Sequence, residues 1–454
     1  DGRAEGDRMR FPLAVLAALF LAAASSPARA ACVSPELFGA VADDGVDDAP
    51  AIRAALFIGD ACLGAGTWDL GYVYSAGSVN VASGRTLSGA GPATVLRQSG
   101  DAHAGTWFGM TVAGGTVRDL AIVQTITNPD PAAQNHLVRV NAGDNARLSR
   151  LTIGPGATGG GDCIQLLGNG ADITGLVIND VVAVGCPRSG IAVQHGVASA
   201  TISDVVLNAV TGGEIDYEPT SAGPTTIAWS SAVLLHTSPA RALTMSDVGG
   251  QNGSTFTGLV IVGGNVQAVR AAGVSFVGNT VIGSATAANS TFEVVRDSTG
   301  LRVIGNRFVR PAAAPAGGVV RIVCNNGLCP TRTVIADNVI EQGGAQFAIE
   351  VDGLQVGAIR GNTITTAWSW AIKLGATIRS SEAVVVSGNA IDSTAAATSG
   401  AAIYLAASTV NPLARIVVGG NVGRGFAYGV QCANLVMGTV RVAENVAGAV
   451  TGCT

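Results

Sequence analysis

Val277-Gly278-Asn279-Thr280-Val281 returns along the chain as Ile304-Gly305-Asn306-Arg307-Phe308, Ala336-Asp337-Asn338-Val339-Ile340, Arg360-Gly361-Asn362-Thr363-Ile364, Ser387-Gly388-Asn389-Ala390-Ile391, Gly419-Gly420-Asn421-Val422 and Ala443-Glu444-Asn445-Val446. The asparagines are spaced by 27, 32, 24, 27, 32 and 24 residues. Upstream, Asp119, Arg150, Asp180 and Asp204 hold the same place in similar phrases, 31, 30 and 24 residues apart. What repeats is short alternation of Val, Ile and Thr broken by Gly, Asn, Asp and Ser, which is the chemistry of strands and turns. A helical repeat would need apolar residues at i, i+3, i+4 and i+7, and none is found. The period therefore predicts one coil of a parallel β-helix per repeat, with three short strands in each. Asparagines stacked at a bend can hydrogen-bond along the stack and tolerate the left-handed backbone that such bends need. With coils about 4.8 Å apart, a dozen or so would form a rod of roughly 60 Å.

Composition agrees with a packed solenoid. Of 454 residues, 48% are hydrophobic, 13% are charged and 62 are glycine. Basic residues number 26 and acidic ones 31, Lys373 being the only lysine, so the net charge of -5 provides no nucleic-acid footprint and no polybasic membrane patch. Met9-Arg10, the apolar run from Phe11 to Ala24 and Ala28-Arg29-Ala30 read as a secretory signal peptide, too short to span a bilayer, with cleavage near Ala30. The expected organisation is upstream residues and signal peptide over 1–30, a cap and first coil over 31–96, and the β-helix over 97–454. A secreted or periplasmic monomer is expected. Eight cysteines in an exported chain favour disulfides. Cys324 with Cys329, Cys432 with Cys453, Cys32 with Cys62 and Cys163 with Cys186 is one of many pairings open to them.

An open end of such a stack must be covered. Asp47 to Leu63 supplies a capping helix: Asp47 or Asp48 can N-cap, Pro50 suits the first turn, and Ile52, Ala55, Leu56 and Cys62 can face the rod. The segment Leu37 to Leu56, with Gly84-Arg85-Thr86-Leu87-Ser88-Gly89-Ala90-Gly91-Pro92, resembles the N-terminal part of the pectate-lyase/polygalacturonase superfamily. That resemblance implies an all-β, single-stranded right-handed parallel β-helix that is carbohydrate-active.

Chemistry is sought where a coil carries outward groups unsuited to mere solvation. Gly161-Asp162-Cys163-Ile164-Gln165-Leu166, Arg188-Ser189-Gly190-Ile191-Ala192-Val193-Gln194-His195 and Gly213-Glu214-Ile215-Asp216-Tyr217-Glu218-Pro219 are three consecutive coils. With Ile164, Ile191 and Ile215 as inward residues, Glu214, Asp216 and Glu218 are expected to face outward, beside Gln165, Ala192 and Gln194. Carboxylates about 7 Å apart on one strand can raise one another's pKa or share a cation. Asp162 and Arg188 are expected nearby. Gly-Asp-Cys-Ile resembles part of the Gly-Asp-Asp-Cys segment of polygalacturonases, Gln194-His195-Gly196 is similar to their Gly-His-Gly, and the acidic strand is closer to a Gly-Ile-Asp-Ile-Glu-Pro segment of uncharacterised β-helix relatives.

The expected function is a secreted polysaccharide-cleaving enzyme working in a groove on the outer face. Its catalytic residues are Asp162, Arg188, Glu214, Asp216 and Glu218, with Gln165, Gln194, His195 and Tyr217 binding substrate. Glycoside hydrolysis by paired carboxyls needs no cofactor and no metal. A uronate lyase would instead hold Ca2+ on the acids, with Arg188 as base, and an adhesin-like glycan binder would do neither. Trp107, Tyr217, Trp229 and Tyr404 are the rings expected to stack on a sugar, whereas Trp370, aligned with Phe347, is expected inside the rod. Glu350 and Lys373 should pair between coils. The interval from Asp204 to Asp247 is expected to hold a loop that walls the groove.

Overall fold

The computed structural model describes residues 32–453 apart from 72–78, 100–105, 126–133, 157–159, 169–170, 210–211, 219–224, 238–240, 247–252, 287, 313, 315–316, 344–346, 369, 376–379, 395–399, 408–411, 434–439 and 444–448. The signal-peptide reading and Asn445 lie outside the described residues. The chain winds as an all-β parallel solenoid. Among the described residues, 28 strands form one sheet that wraps two faces of the rod and 15 form a second sheet on the remaining face. The strands named in register pairs run parallel, each to its counterpart one coil on.

Alternation of small β-branched residues and polar ones makes this possible, since every second side chain points into the rod. In the fifteen-stranded sheet the inward row runs through Val138, Ile164, Ile191, Ile215, Leu243, Val266, Phe292, Val320, Ile349, Ile372 and Ile403. All are buried, and each contributes about 1.5–3 kcal/mol through burial. The next residue of each strand forms an outward row: Arg139, Gln165, Ala192, Asp216, Thr244, Gln267, Glu293, Arg321, Glu350, Lys373 and Tyr404.

The asparagines form a continuous column. The Nδ2 of Asn279, Asn306, Asn338, Asn362 and Asn389 each donates to the Oδ1 of the next, at 2.8–3.0 Å. Each Oδ1 so engaged also accepts the backbone N–H of the preceding asparagine, and each Nδ2 also donates to a main-chain carbonyl. The left-handed conformation falls one residue earlier than expected, at Gly278, Gly305, Gly361, Gly388 and Gly420 with φ of 64–65° and at Asp337 with φ 56°. Upstream it falls on Asp119, Arg150, Asp180 and Asp204 themselves. A bend that needs positive φ favours glycine, and Asp tolerates it.

The N-terminal helix spans Ala49–Ile58 and buries Ile52, Ala55 and Leu56 over the first coils. Asp47 accepts the Ala49 N–H, while buried Asp48 accepts from Val41 and Asp69, tying the helix to the sheet. All four cysteine pairs form disulfides: Cys32–Cys62, Cys163–Cys186, Cys324–Cys329 and Cys432–Cys453. Among the described residues no helix is long and apolar enough to cross a membrane. The interval after Asp204 is largely another coil, with strands Ile215–Tyr217, Thr225–Ser230, Val233–Leu235 and Arg241–Ser246. Residues 219–224, 238–240 and 247, which also belong to the interval expected to wall the groove, lie outside the described residues.

Candidate functional site

Register places Gln165, Ala192 and Asp216 side by side on three adjacent coils, as the alignment of the three isoleucines requires. Asp216 and Glu218 are half-buried on the outer wall, two residues apart at the end of the strand Ile215–Tyr217. Their carboxyl groups are hydrogen-bonded to each other. Burial first, and then the charge and hydrogen bond of Glu218, push the Asp216 carboxyl up to about 7.

Arg188 organises the other side of the pair. Its Nε and Nη2 make a two-pronged contact with Asp162 at 2.9 and 2.8 Å, and its Nη1 reaches Glu218 Oε2 at 3.0 Å. Asp162 is completely buried beneath it, with His136 Nδ1 3.0 Å from Oδ2. Burial alone would raise the Asp162 carboxyl. The hydrogen bonds and charges of His136 and Arg188 outweigh that and hold it below the usual carboxylate range. The hydrogen bonds to Asp162 and the surrounding carboxylates raise the Arg188 pKa further, so the guanidinium stays charged. A connected line thus runs from inside the rod to its surface: His136, Asp162, Arg188, Glu218, Asp216.

Two expected members of this face turn inward. Glu214 is fully buried, with His236 Nδ1 2.8 Å from Oε2 and the Ala209 N–H donating to Oε1 at 3.2 Å. It precedes the strand, in the bend after Gly212-Gly213, where strict alternation does not extend. Tyr217 shares the parity of Ile215 and is buried, accepting from Trp229 Nε1 at 2.8 Å and lying 3.3 Å from Ser254 Oγ. Trp229, expected as a sugar platform, is buried in an internal ring stack with Phe256 and Phe276. Without Glu214 the expected trio of oxygen ligands does not assemble, and no three His, Cys, Asp or Glu side chains among the described residues could hold a metal ion.

Gln165 is buried with its Oε1 lacking a hydrogen-bond partner among the described residues, and Gln194 is half-buried on the same face. The side chains of His195 and Trp107 lie outside the described set. Arg139 extends the outward row one coil beyond Gln165, and burial lowers its pKa. Sequence reasoning passed over Arg139, His136 and His236. Aligning Val138 with Ile164 would have found the first two, since it sets His136 opposite Asp162 as well as Arg139 opposite Gln165, but nothing in the sequence marks His236, which meets Glu214 across a bend.

Farther along, Trp370 does not enter the core. It is half-buried on the outside, because Ala371 and Ile372 are both buried and the alternation slips by one at the strand start. Its ring meets those of Phe347 and Tyr404 in tilted contacts, with centroids 6.0 and 5.7 Å apart. Lys373 and Glu350 pair at 2.9 Å, as their register predicts.

The fold and this wall define an all-β parallel solenoid carrying a buried acid–arginine network that surfaces at two carboxyl groups. Among solved structures, the chain is similar to the catalytic unit of an α-1,3-glucanase from Streptomyces thermodiastaticus, with 15% identity over 93% of this chain and 70% of that one, and a TM-score of 0.45. It is also similar to tailspike protein 3 of bacteriophage CBA120, with 13% identity and a TM-score of 0.44, over 91% of this chain but only 61% of that one. The A-module of a mannuronan C-5 epimerase from Azotobacter vinelandii is a third, with 15% identity over 92% of this chain and 96% of that one, and a TM-score of 0.33. No protein-family model and no curated protein sequence matches the chain.

Proposed function

We propose that this protein is a polysaccharide-cleaving enzyme, a glycoside hydrolase in which Asp216 is the general acid and Glu218 its carboxylate partner. The observation that carries the reading is the Asp216 carboxyl, pushed up to about 7 by burial and by Glu218 on the outer wall of the rod. A carboxyl with that pKa is protonated in about half of the molecules at neutral pH and can deliver that proton to a glycosidic oxygen as the bond to the sugar breaks. Glu218, paired with Arg188, is the group to stabilise the developing positive charge on the ring, either by attack or by deprotonating water. Residues i and i+2 of a strand are about 7 Å apart. Rotation of half-exposed Glu218 therefore separates the carboxyls to the range of about 5–9.5 Å that glycosidases use.

Elimination with Arg188 as base is the weaker reading. A guanidinium clamped by Asp162 and Glu218 does not give up its proton. Asp162 and Arg188 then act as positioning residues, fixing Glu218 rather than touching substrate. The test is incubation of wild type with a range of polysaccharides, following reducing ends and the ultraviolet absorbance of an unsaturated sugar. Reducing ends without that absorbance are expected, with Asp216→Asn slower by about a hundredfold or more. Equal activity in Asp216→Asn overturns the assignment, and product carrying the unsaturated chromophore makes the protein a lyase.

A further inference from the structure

Beyond Asp216 the outer wall carries a trough. Its first part is a cleft of about 500 Å3 whose lining includes Arg241, Gln267, Asn289, Glu293 and Arg321. A second cleft of about 300 Å3 shares Asn289 and Arg321 and continues to Glu350. The Glu350–Lys373 pair follows, with the Lys373 ammonium 4.9 Å from the centre of the Phe347 ring. Past the clefts the same outward row leads to a cluster of half-buried rings, where Trp370 meets Phe347, Tyr404 and, at 6.3 Å, Trp368. Its floor is fixed, since Glu293 accepts from Gln267 at 2.8 Å and lies 3.2 Å from Arg321 and 3.8 Å from Arg241.

Two features select the occupant. Guanidinium, amide and carboxylate groups in one row offer donors and acceptors for hydroxyls, while ring surfaces left at the wall suit the C–H side of a pyranose. A protein partner would want a broad apolar patch, and most of this trough is polar. The strand of Arg241 lies six strand spacings from that of Tyr404, about 29 Å, which is a length for a chain and not for a single sugar.

We propose that this trough is a glycan-binding site, separable from the Asp216–Glu218 pair, which holds an unbranched polysaccharide along the rod axis with the ring cluster as its far anchor. It rests on the polysaccharide reading above and is independent of whether Asp216 cleaves anything. The test is electrophoresis of the native protein through gels containing, one at a time, a soluble α-glucan, a β-glucan, xylan, alginate and polygalacturonate. At least one is expected to retard wild type and Asp216→Asn equally. The double variant Trp370→Ala, Tyr404→Ala should bind that polysaccharide roughly tenfold more weakly, the scale of losing a good ring contact. Trp370→Phe should retain binding, and unchanged thermal unfolding of all variants separates lost contact from lost fold.

Retardation by none of the five, or equal retardation of the double variant, overturns the proposal. So does self-association of wild type that the double variant abolishes, which would make the rings a contact between copies. Ring-dependent binding with no product from any polysaccharide leaves this site standing and removes the hydrolase reading alone.

Discussion

At Asp216 the cost of the site is written into stability. The folded carboxyl keeps its proton up to about pH 7, whereas the unfolded one loses it near 3.8. Unfolding therefore releases a proton throughout that window, so the stability supplied by protonated Asp216 is fully present below about pH 4 and lost once pH has passed 7. Asp216→Asn should abolish that slope: thermal unfolding of wild type and variant measured from pH 4 to 8 should diverge, with the variant the more stable above pH 7. Parallel curves would mean that Asp216 titrates normally. Asp162 works in the opposite direction, because its lowered pKa supplies stability that disappears only when acid protonates it. The two aspartates sit on either side of Arg188, yet one is a reservoir of protons and the other a fixed anion. Depth and the number of cationic contacts separate them.

At the scale of the coil, the asparagine column is the strongest polar device in the fold. Asn338 accepts the Asn306 N–H and Nδ2 and donates to Asn362 Oδ1 and the Val303 carbonyl. Asn338→Ala would strand several buried polar groups at once, at about 1–3 kcal/mol each. A loss of at least about 3 kcal/mol in denaturant unfolding is expected, against less than about 0.5 kcal/mol for exposed Thr363→Ser, beside Asn362 on the next coil. Similar losses at both positions would show that the column carries little. This element was legible in the sequence because one residue type returns at the same place in successive coils from Asn279 onward. Glu214 and Trp370 were misjudged because each stands at the edge of a strand, where alternation fails: glycines turn the chain before Glu214, and Ala371 and Ile372 both face the interior after Trp370. His236 was invisible for a related reason, since Glu214 is 22 residues away and meets it through a bend whose direction no local pattern records, whereas His136 was legible and overlooked: the 26-residue offset that pairs Val138 with Ile164 also sets it opposite Asp162.

For the molecule as a whole, the parallel stack has an N-terminal edge that the helix Ala49–Ile58 covers. Leu56 is buried there and Ile52 completely so. Leu56→Asp should lift the helix and expose strand edges, so that light scattering and size exclusion report association at concentrations where wild type stays unassociated. A variant that remains dispersed would show that the edge is protected by something other than the helix. The overall architecture was readable because a solenoid is nearly one-dimensional, each coil contacting its neighbours and little else. The wall's chemistry was readable only in part, since the outward row follows from register while the slant of side chains at the bends does not.

The asparagine column has one more property. Every amide in it points the same way, nitrogen toward the later coil and oxygen toward the earlier one, so turning any single amide over would set two nitrogens or two oxygens face to face on each side. Orientation is therefore inherited from neighbour to neighbour, as in a row of magnets, and the six side chains from Asn279 to Asn421 share a single collective choice of direction.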